Sequence, residues 1–91
     1  MYEIRWSTRF RRDIKRSQKQ GKNMSKFKAI HESLMKGLQL PVKNKDHELK
    51  HNWKNHRECH IEPDWLLIYR VSEHKKEIVY ARMGSHSDLF R

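Results

Sequence analysis

Apolar and polar residues alternate over the first six positions of the chain. Tyr2, Ile4 and Trp6 are separated by Glu3 and Arg5. A period of two is typical of a strand with one buried face. The sequence therefore predicts a β-strand at the start of the chain.

Helical spacing replaces this alternation in the next thirty or so positions. The first helix is predicted from about residue 8 to residue 20, with Ser7 or Thr8 as its N-cap and Gly21 after its end. A second helix is predicted to begin after Asn23 and to end near Gly37. Its apolar residues recur at intervals of three and four: Met24, Phe27, Ile30, Leu34 and Leu38. The two helices form a short hairpin.

Periodicity is lost over residues 41–55, which predicts a long connection, and such loops are often functional. Three strands are predicted after it, at residues 56–61, 65–71 and 77–83. Residues after Gly84 form a tail or a single helical turn. This order predicts one α+β domain over residues 1–91, with a helical hairpin packed on an antiparallel sheet of about four strands.

Composition limits the classes of protein to which the chain can belong. The longest apolar run, residues 65–69, is far shorter than the roughly 18 residues that a membrane span needs. The first residues contain no apolar signal region, and the single cysteine, Cys59, excludes an internal disulfide. We therefore expect a cytoplasmic protein that does not contact a membrane.

Positive charge is concentrated in the first half of the chain. The 21 lysines and arginines exceed the 11 acids by ten, and this excess lies entirely before residue 46. Such a surface suits a polyanionic partner such as nucleic acid. The basic residues expected to contact phosphates lie on the first helix: Arg9, Arg12, Lys15, Arg16 and Lys19.

The second half contains the residues that can carry chemistry. His47, His60, Asp64 and His86 lie in the connecting loop or at the ends of predicted strands. Free imidazole has a pKa near 6.5, so two histidines can act as a neutral base and a protonated acid at cellular pH. That pairing suits metal-free RNA cleavage, in which a 2′-hydroxyl attacks the neighbouring phosphate.

This reaction also needs groups that bind the phosphate and the base. Cations are required because charge builds on the phosphoryl oxygens during the attack. Lys45, Lys50, Arg57 and Arg82 are available for this purpose. Trp65 and Phe90 could hold a base by stacking, although Trp65 begins an apolar strand and fits the core equally well.

Metal binding is a weaker interpretation of the same histidines. His47 and His51 are four residues apart, as are His56 and His60. That spacing brings two imidazoles together only on a helix, and both pairs lie in predicted loop or strand. We therefore expect no native metal site and no cofactor.

At these residues the sequence resembles the YafQ branch of the RelE/ParE superfamily of bacterial type II toxins. The shared motifs are KDHEL at 45–49, Trp53, RECHIEPDWLLIYR at 57–70 and RMGSHSDLF at 82–90. They lie in the second half of the chain. The first half agrees in its order of elements, a strand followed by two basic helices, which is that of the RelE-like fold.

The resemblance implies a messenger-RNA endoribonuclease that enters the ribosomal A site and cuts the codon there. It also implies a free toxin that is monomeric, and a DinJ/RelB-like antitoxin, encoded beside it, that blocks the activity. The active-site residues that the family carries match six positions here: His47, His60, Asp64, Trp65, His86 and Phe90. We expect His86 to act as general acid or base, with His47 and His60 as its partner and the phosphate ligand. Asp64 would orient an imidazole, and Arg57 and Arg82 lie near the phosphate or are structural.

Two other functions fit the same fold. ParE-like relatives poison DNA gyrase by protein contact and need no acid–base residues, and a plain RNA-binding module would bind without cutting. The cluster of histidines and Asp64 favours the nuclease, because neither alternative requires it.

Overall fold

The first half of the chain forms a strand and a helical hairpin, as the pattern predicts. In a computed structural model, which describes residues 1–90, β1 spans Glu3–Trp6, α1 spans Thr8–Lys19 and α2 spans Met24–Met35. The Ser7 side chain caps α1 by accepting a hydrogen bond from the backbone N–H of Phe10 at 3.0 Å. The turn between the helices contains Gly21 at a φ of +74°, a left-handed conformation that glycine adopts readily.

The second half supplies the rest of the sheet and one short helix. β3 spans Arg57–Glu62, β4 spans Trp65–Ser72 and β5 spans Glu77–Gly84. The predicted bounds of these strands agree to within about one residue. A single helical turn, α3, spans His86–Leu89, and Ser85 and Asp88 close its N-terminus with reciprocal hydrogen bonds.

The sheet differs from the prediction in strand number and in the direction of one pair. It has five strands in the order β1-β5-β4-β3-β2, because the connecting segment contains a two-residue strand, β2, at His47–Glu48. β1 runs parallel to β5, with Glu3 opposite Glu77, so the sheet is mixed and not purely antiparallel. Alternation along β1 identifies a strand but carries no information about its neighbour, which lies far away in sequence.

The remainder of the connecting segment is also more ordered than a loop. Short 3₁₀ turns occur at Val42–Asn44 and His51–Trp53, on either side of β2. β2 pairs antiparallel with β3, so that His47 lies opposite Glu58. This pairing fixes the position of His47 at the edge of the sheet.

The main core lies between the helices and one face of the sheet. It contains Phe10, Phe27 and Ile30 from the helices, packed against Leu67 and Tyr80. Leu66 and Ile68 point to the opposite face, where they pack with Leu89 of α3. β4 is therefore buried on both faces, which explains why its first five residues form a continuous apolar run.

Asp13 on α1 is a buried carboxylate that connects the helix to β5. It accepts hydrogen bonds from Arg82 Nε at 2.7 Å and from the backbone N–H of Met83 at 2.9 Å. Arg16 Nη2 lies 3.2 Å from the same carboxylate and donates to the carbonyl of Met83 at 2.9 Å. Arg16 and Arg82, two of the residues expected to contact RNA, therefore have their guanidinium groups bound within the fold.

The helices of residues 1–90 are all too short and too polar to cross a membrane.

Candidate active site

Two hydrogen bonds join His86 to Asp64. His86 begins α3, and Asp64 lies in the turn between β3 and β4. Asp64 Oδ1 accepts the backbone N–H of His86 at 2.9 Å and lies 2.7 Å from His86 Nδ1. The pKa of Asp64 is lowered, first by the hydrogen bond from the backbone N–H of His86 and second by the bond to the His86 side chain. An ionised Asp64 keeps the proton on Nδ1 and leaves Nε2 available to a substrate.

Glu58 lies between the other two imidazoles. Glu58 and His60 are two residues apart on β3, so their side chains point to the same face of the sheet. Glu58 Oε1 is 3.3 Å from His60 Nε2 and 3.7 Å from His47 Nε2. Glu58 is only 4% exposed, and a buried carboxylate needs such partners to offset its lost hydration. Glu58 lies within ion-pair distance of both rings, while backbone carbonyls hold their Nδ1 atoms: Lys45 O lies 2.7 Å from His47 and Pro63 O lies 3.3 Å from His60.

The three imidazoles and one aromatic ring form a row across the end of the sheet. The ring centroids are 6.4 Å apart for His47 and His60, 5.7 Å for His60 and His86, and 6.4 Å for His86 and Phe90. The side chains of His47 and His86 are about half exposed. A substrate can therefore reach two titratable rings at the same time, beside an exposed ring that can stack on a base.

Comparison with known proteins identifies the family of the chain. Residues 2–91 match the family model described as "Bacterial toxin of type II toxin-antitoxin system, YafQ". The chain belongs to the YafQ family. The mRNA interferase toxin YafQ of Escherichia coli BL21-DE3 is 40% identical over 89 residues, which cover 97% of this chain and 95% of that protein.

Solved structures of similar toxins have the same fold. The crystal structure of E. coli YafQ superposes with a TM-score of 0.92 at 38% identity and full coverage of both chains. YafQ in the E. coli DinJ–YafQ complex gives a TM-score of 0.92 at 39% identity, again over both complete chains. A metal-bound toxin from Helicobacter pylori gives 0.93 at 37% identity, covering 99% of this chain and 100% of that one.

In this YafQ-family chain, the predicted catalytic residues are brought together. His47 comes from β2, His60 from β3, Asp64 from the following turn and His86 from α3. Trp65, in contrast, is 1% exposed and lies in the main core. Its ring has no open face on which a base could stack, which leaves Phe90, at 41% exposure, for that role.

The predicted phosphate-binding residues lie at different depths. Arg57 is partly buried, and its Nε donates to Asp46 Oδ1 at 3.2 Å. Tyr69 donates to the same oxygen at 2.6 Å. Asp46, the residue before His47, is therefore anchored to β3 and β4. Lys45 and Lys50 are exposed on either side of β2, and four of the five predicted α1 residues are also exposed: Arg9, Arg12, Lys15 and Lys19.

Glu58 and Asp46 are the site residues that the sequence analysis missed. The spacing of Glu58 and His60 along a predicted strand was a signal that they share a face. Asp46 gave no such signal, because its partners lie on β3 and β4 and are brought to it only by the paired sheet.

A possible ligand set for a metal also arises from the tertiary structure. One ligand atom each from Glu58, His60 and His86 lies within 4.8 Å of the others. The histidine pairs considered from spacing are not this set, because His86 comes from a distant part of the chain. The donor types, two imidazoles and a carboxylate, suit zinc or copper.

The contacts of Asp64 predict a low titration midpoint for this carboxyl. Its pKa lies below the ordinary value of 3.8, first because of the backbone N–H of His86 and then because of the imidazole. Carbon-detected NMR of the carboxyl group will measure this midpoint. His86→Ala keeps the larger backbone contribution, so the midpoint should rise only part of the way to the ordinary value.

The same shift gives Asp64 a pH-dependent contribution to stability. Because its pKa is lower in the folded state, Asp64 stabilises the fold above the ordinary carboxyl range, and this contribution is lost as the pH falls through the folded-state pKa. A midpoint at or above 3.8 in the parent protein would contradict the hydrogen bonds described here.

Proposed function

We propose that this YafQ-family toxin cuts messenger RNA by general acid–base catalysis, without a metal. The row of imidazoles from His47 to His86, with Asp64 bound to the last of them, is the observation that carries the proposal. The E. coli relatives are named mRNA interferase toxins, which supports the same substrate.

Two of the imidazoles would share the proton transfers. One neutral ring takes the proton of a 2′-hydroxyl, and the oxygen attacks the adjacent phosphorus. The bond from phosphorus to the 5′-oxygen breaks, and a protonated ring gives its proton to that oxygen. The products are a 2′,3′-cyclic phosphate and a 5′-hydroxyl, so no water or cofactor is consumed. His86, which is exposed and bound to Asp64, would supply one of these transfers, and a second imidazole of the row the other.

The basic surface supports action on the ribosome. Arg9, Arg12, Lys15 and Lys19 are exposed along α1, and none of them forms an ion pair with residues 1–90. We propose that they contact ribosomal RNA phosphates while the imidazoles reach the codon in the A site, and that this takes place in the cytoplasm. Binding to many phosphates should be steeply salt-dependent.

An antitoxin is the second partner that we propose. DinJ forms a complex with YafQ in the E. coli structure that this chain superposes on. The net charge of +10 suits an acidic protein that covers the basic surface and blocks access to the imidazoles.

The deciding experiment is a primer-extension map of a reporter messenger RNA in a cell-free translation system. We expect in-frame cuts that appear with translating ribosomes and disappear when initiation is blocked. Cuts that persist without ribosomes would make the protein a free ribonuclease. The absence of cuts in both reactions would refute cleavage and direct attention to gyrase or to RNA binding alone.

Metal ions should inhibit this reaction. A Zn²⁺ or Cu²⁺ ion held by Glu58, His60 and His86 would occupy the nitrogen lone pairs that a general base needs. We expect micromolar Zn²⁺ to suppress cleavage, and EDTA to restore it. Glu58→Gln should weaken this inhibition, whereas the exposed Glu73→Gln should leave it unchanged. Equal inhibition of both variants would place the metal elsewhere.

A further inference from the structure

A cavity lies beside Asp64, next to the row of imidazoles. Its volume is about 290 Å³, and it is formed where the α1–α2 turn approaches the start of β4 and the start of α3. Its lining is mainly polar: Gln20, Lys22, Asp64, Trp65, Gly84, Ser85 and Asp88. The cavity shares Asp64 with the active site, so a chain bound across His86 can continue into it.

Lys22 contributes the positive charge of this cavity. The residue is partly buried, and its ammonium forms no ion pair with residues 1–90. Its charge is close enough to contribute to the lowered pKa of Asp64. A ligand phosphate beside Lys22 would gain a charge-assisted hydrogen bond.

Trp65 contributes an unused hydrogen-bond donor to the same wall. Its indole nitrogen is buried and has no acceptor among the described residues. A buried donor without a partner destabilises the fold, and a ligand that brings an acceptor to this nitrogen would remove that cost.

The mixture of charges in the cavity selects the class of ligand. Lys22 attracts an anionic group, and the carboxylate of Asp64 accepts hydrogen bonds from a group that carries donors. A nucleotide carries one phosphate for the lysine, and its base presents both donors and acceptors, which the amide of Gln20 can match.

We propose that this cavity is a nucleotide subsite, which holds the RNA residue next to the cleaved linkage, with Lys22 on its phosphate and Gln20 and Trp65 facing its base. The proposal rests on the proposed function, because that function supplies the RNA. It adds a specificity-determining contact next to Asp64.

Binding of an uncleavable RNA will test the subsite separately from catalysis. The probe is a fluorescein-labelled single strand with 2′-O-methyl groups, which cannot attack, and with one neutral methylphosphonate placed at each linkage in turn. In the parent protein, one linkage should weaken binding about tenfold when neutralised, as the loss of one charge-assisted contact predicts. In Lys22→Gln that linkage should no longer differ from its neighbours.

Lys75→Gln is the matched control, because Lys75 is exposed in the β4–β5 turn. In Lys75→Gln, binding should depend on the position of the methylphosphonate as it does in the parent protein. An unchanged pattern in Lys22→Gln, or a parent protein that does not bind the probe at low salt, would overturn the subsite. If one linkage is sensitive in the parent and not in Lys22→Gln, but no cleavage occurs on ribosomes, the proposed function is refuted and the subsite is not.

Discussion

Replacing His86 with alanine is expected to slow messenger-RNA cleavage by about 10²- to 10⁴-fold, the usual cost of losing a general acid or base. His86 is the imidazole that contacts a carboxylate through its Nδ1, at 2.7 Å from Asp64 Oδ1. Single-turnover cleavage on programmed ribosomes, at saturating toxin, will measure the chemical step without contributions from product release.

His74→Ala provides the matched control for this measurement. His74 is an exposed histidine in the β4–β5 turn, away from the row of imidazoles, so the same change there should leave the rate unchanged. His86→Ala should also retain the unfolding midpoint of the parent within a few degrees, since His86 is exposed. A rate within about threefold of the parent would remove His86 from the proton transfers.

Asp13→Ala is expected to produce the largest loss of stability, about 3–5 kcal/mol. The Asp13 carboxylate is 3% exposed, and it balances the charge of Arg82, whose side chain is 15% exposed. Its removal leaves the guanidinium with an uncompensated charge and leaves the backbone N–H of Met83 without its acceptor. Urea unfolding followed by circular dichroism will give the change in the free energy of unfolding.

Glu32→Ala is the control for charge alone, because Glu32 is exposed on α2 and should change stability by less than about 0.5 kcal/mol. The double variant Asp13→Ala/Arg82→Met should recover part of the loss, since it removes both charges. A loss below about 1 kcal/mol in Asp13→Ala would show that the buried pair contributes little to the fold.

The local elements could be predicted because their signals are local. The apolar spacing of α2 and the continuous apolar run of β4 identify those elements without any reference to the rest of the chain. The parallel pairing of β1 with β5 could not be predicted in this way, because Glu3 and Glu77 meet only after the helical hairpin has folded back on the sheet.

The residues of the site also divide into those that the sequence identifies and those whose partners depend on the tertiary structure. His47, His60, Asp64 and His86 stood out because their residue types fit one chemistry, and the family resemblance selected the same positions. Arg82 fitted that chemistry equally well, yet its partner is Asp13. A side chain's type indicates what it can bind, but the tertiary structure decides which of the available partners it meets.

The position of β5 between β1 and β4 has a consequence for synthesis of the toxin. β1 is made well before its neighbour β5, because the helical hairpin and three other strands lie between them in the chain. His86 follows β5 directly. A partly made chain therefore has an unpaired first strand and an incomplete row of imidazoles, so the translating ribosome is not exposed to a folded nuclease before β5 and α3 emerge.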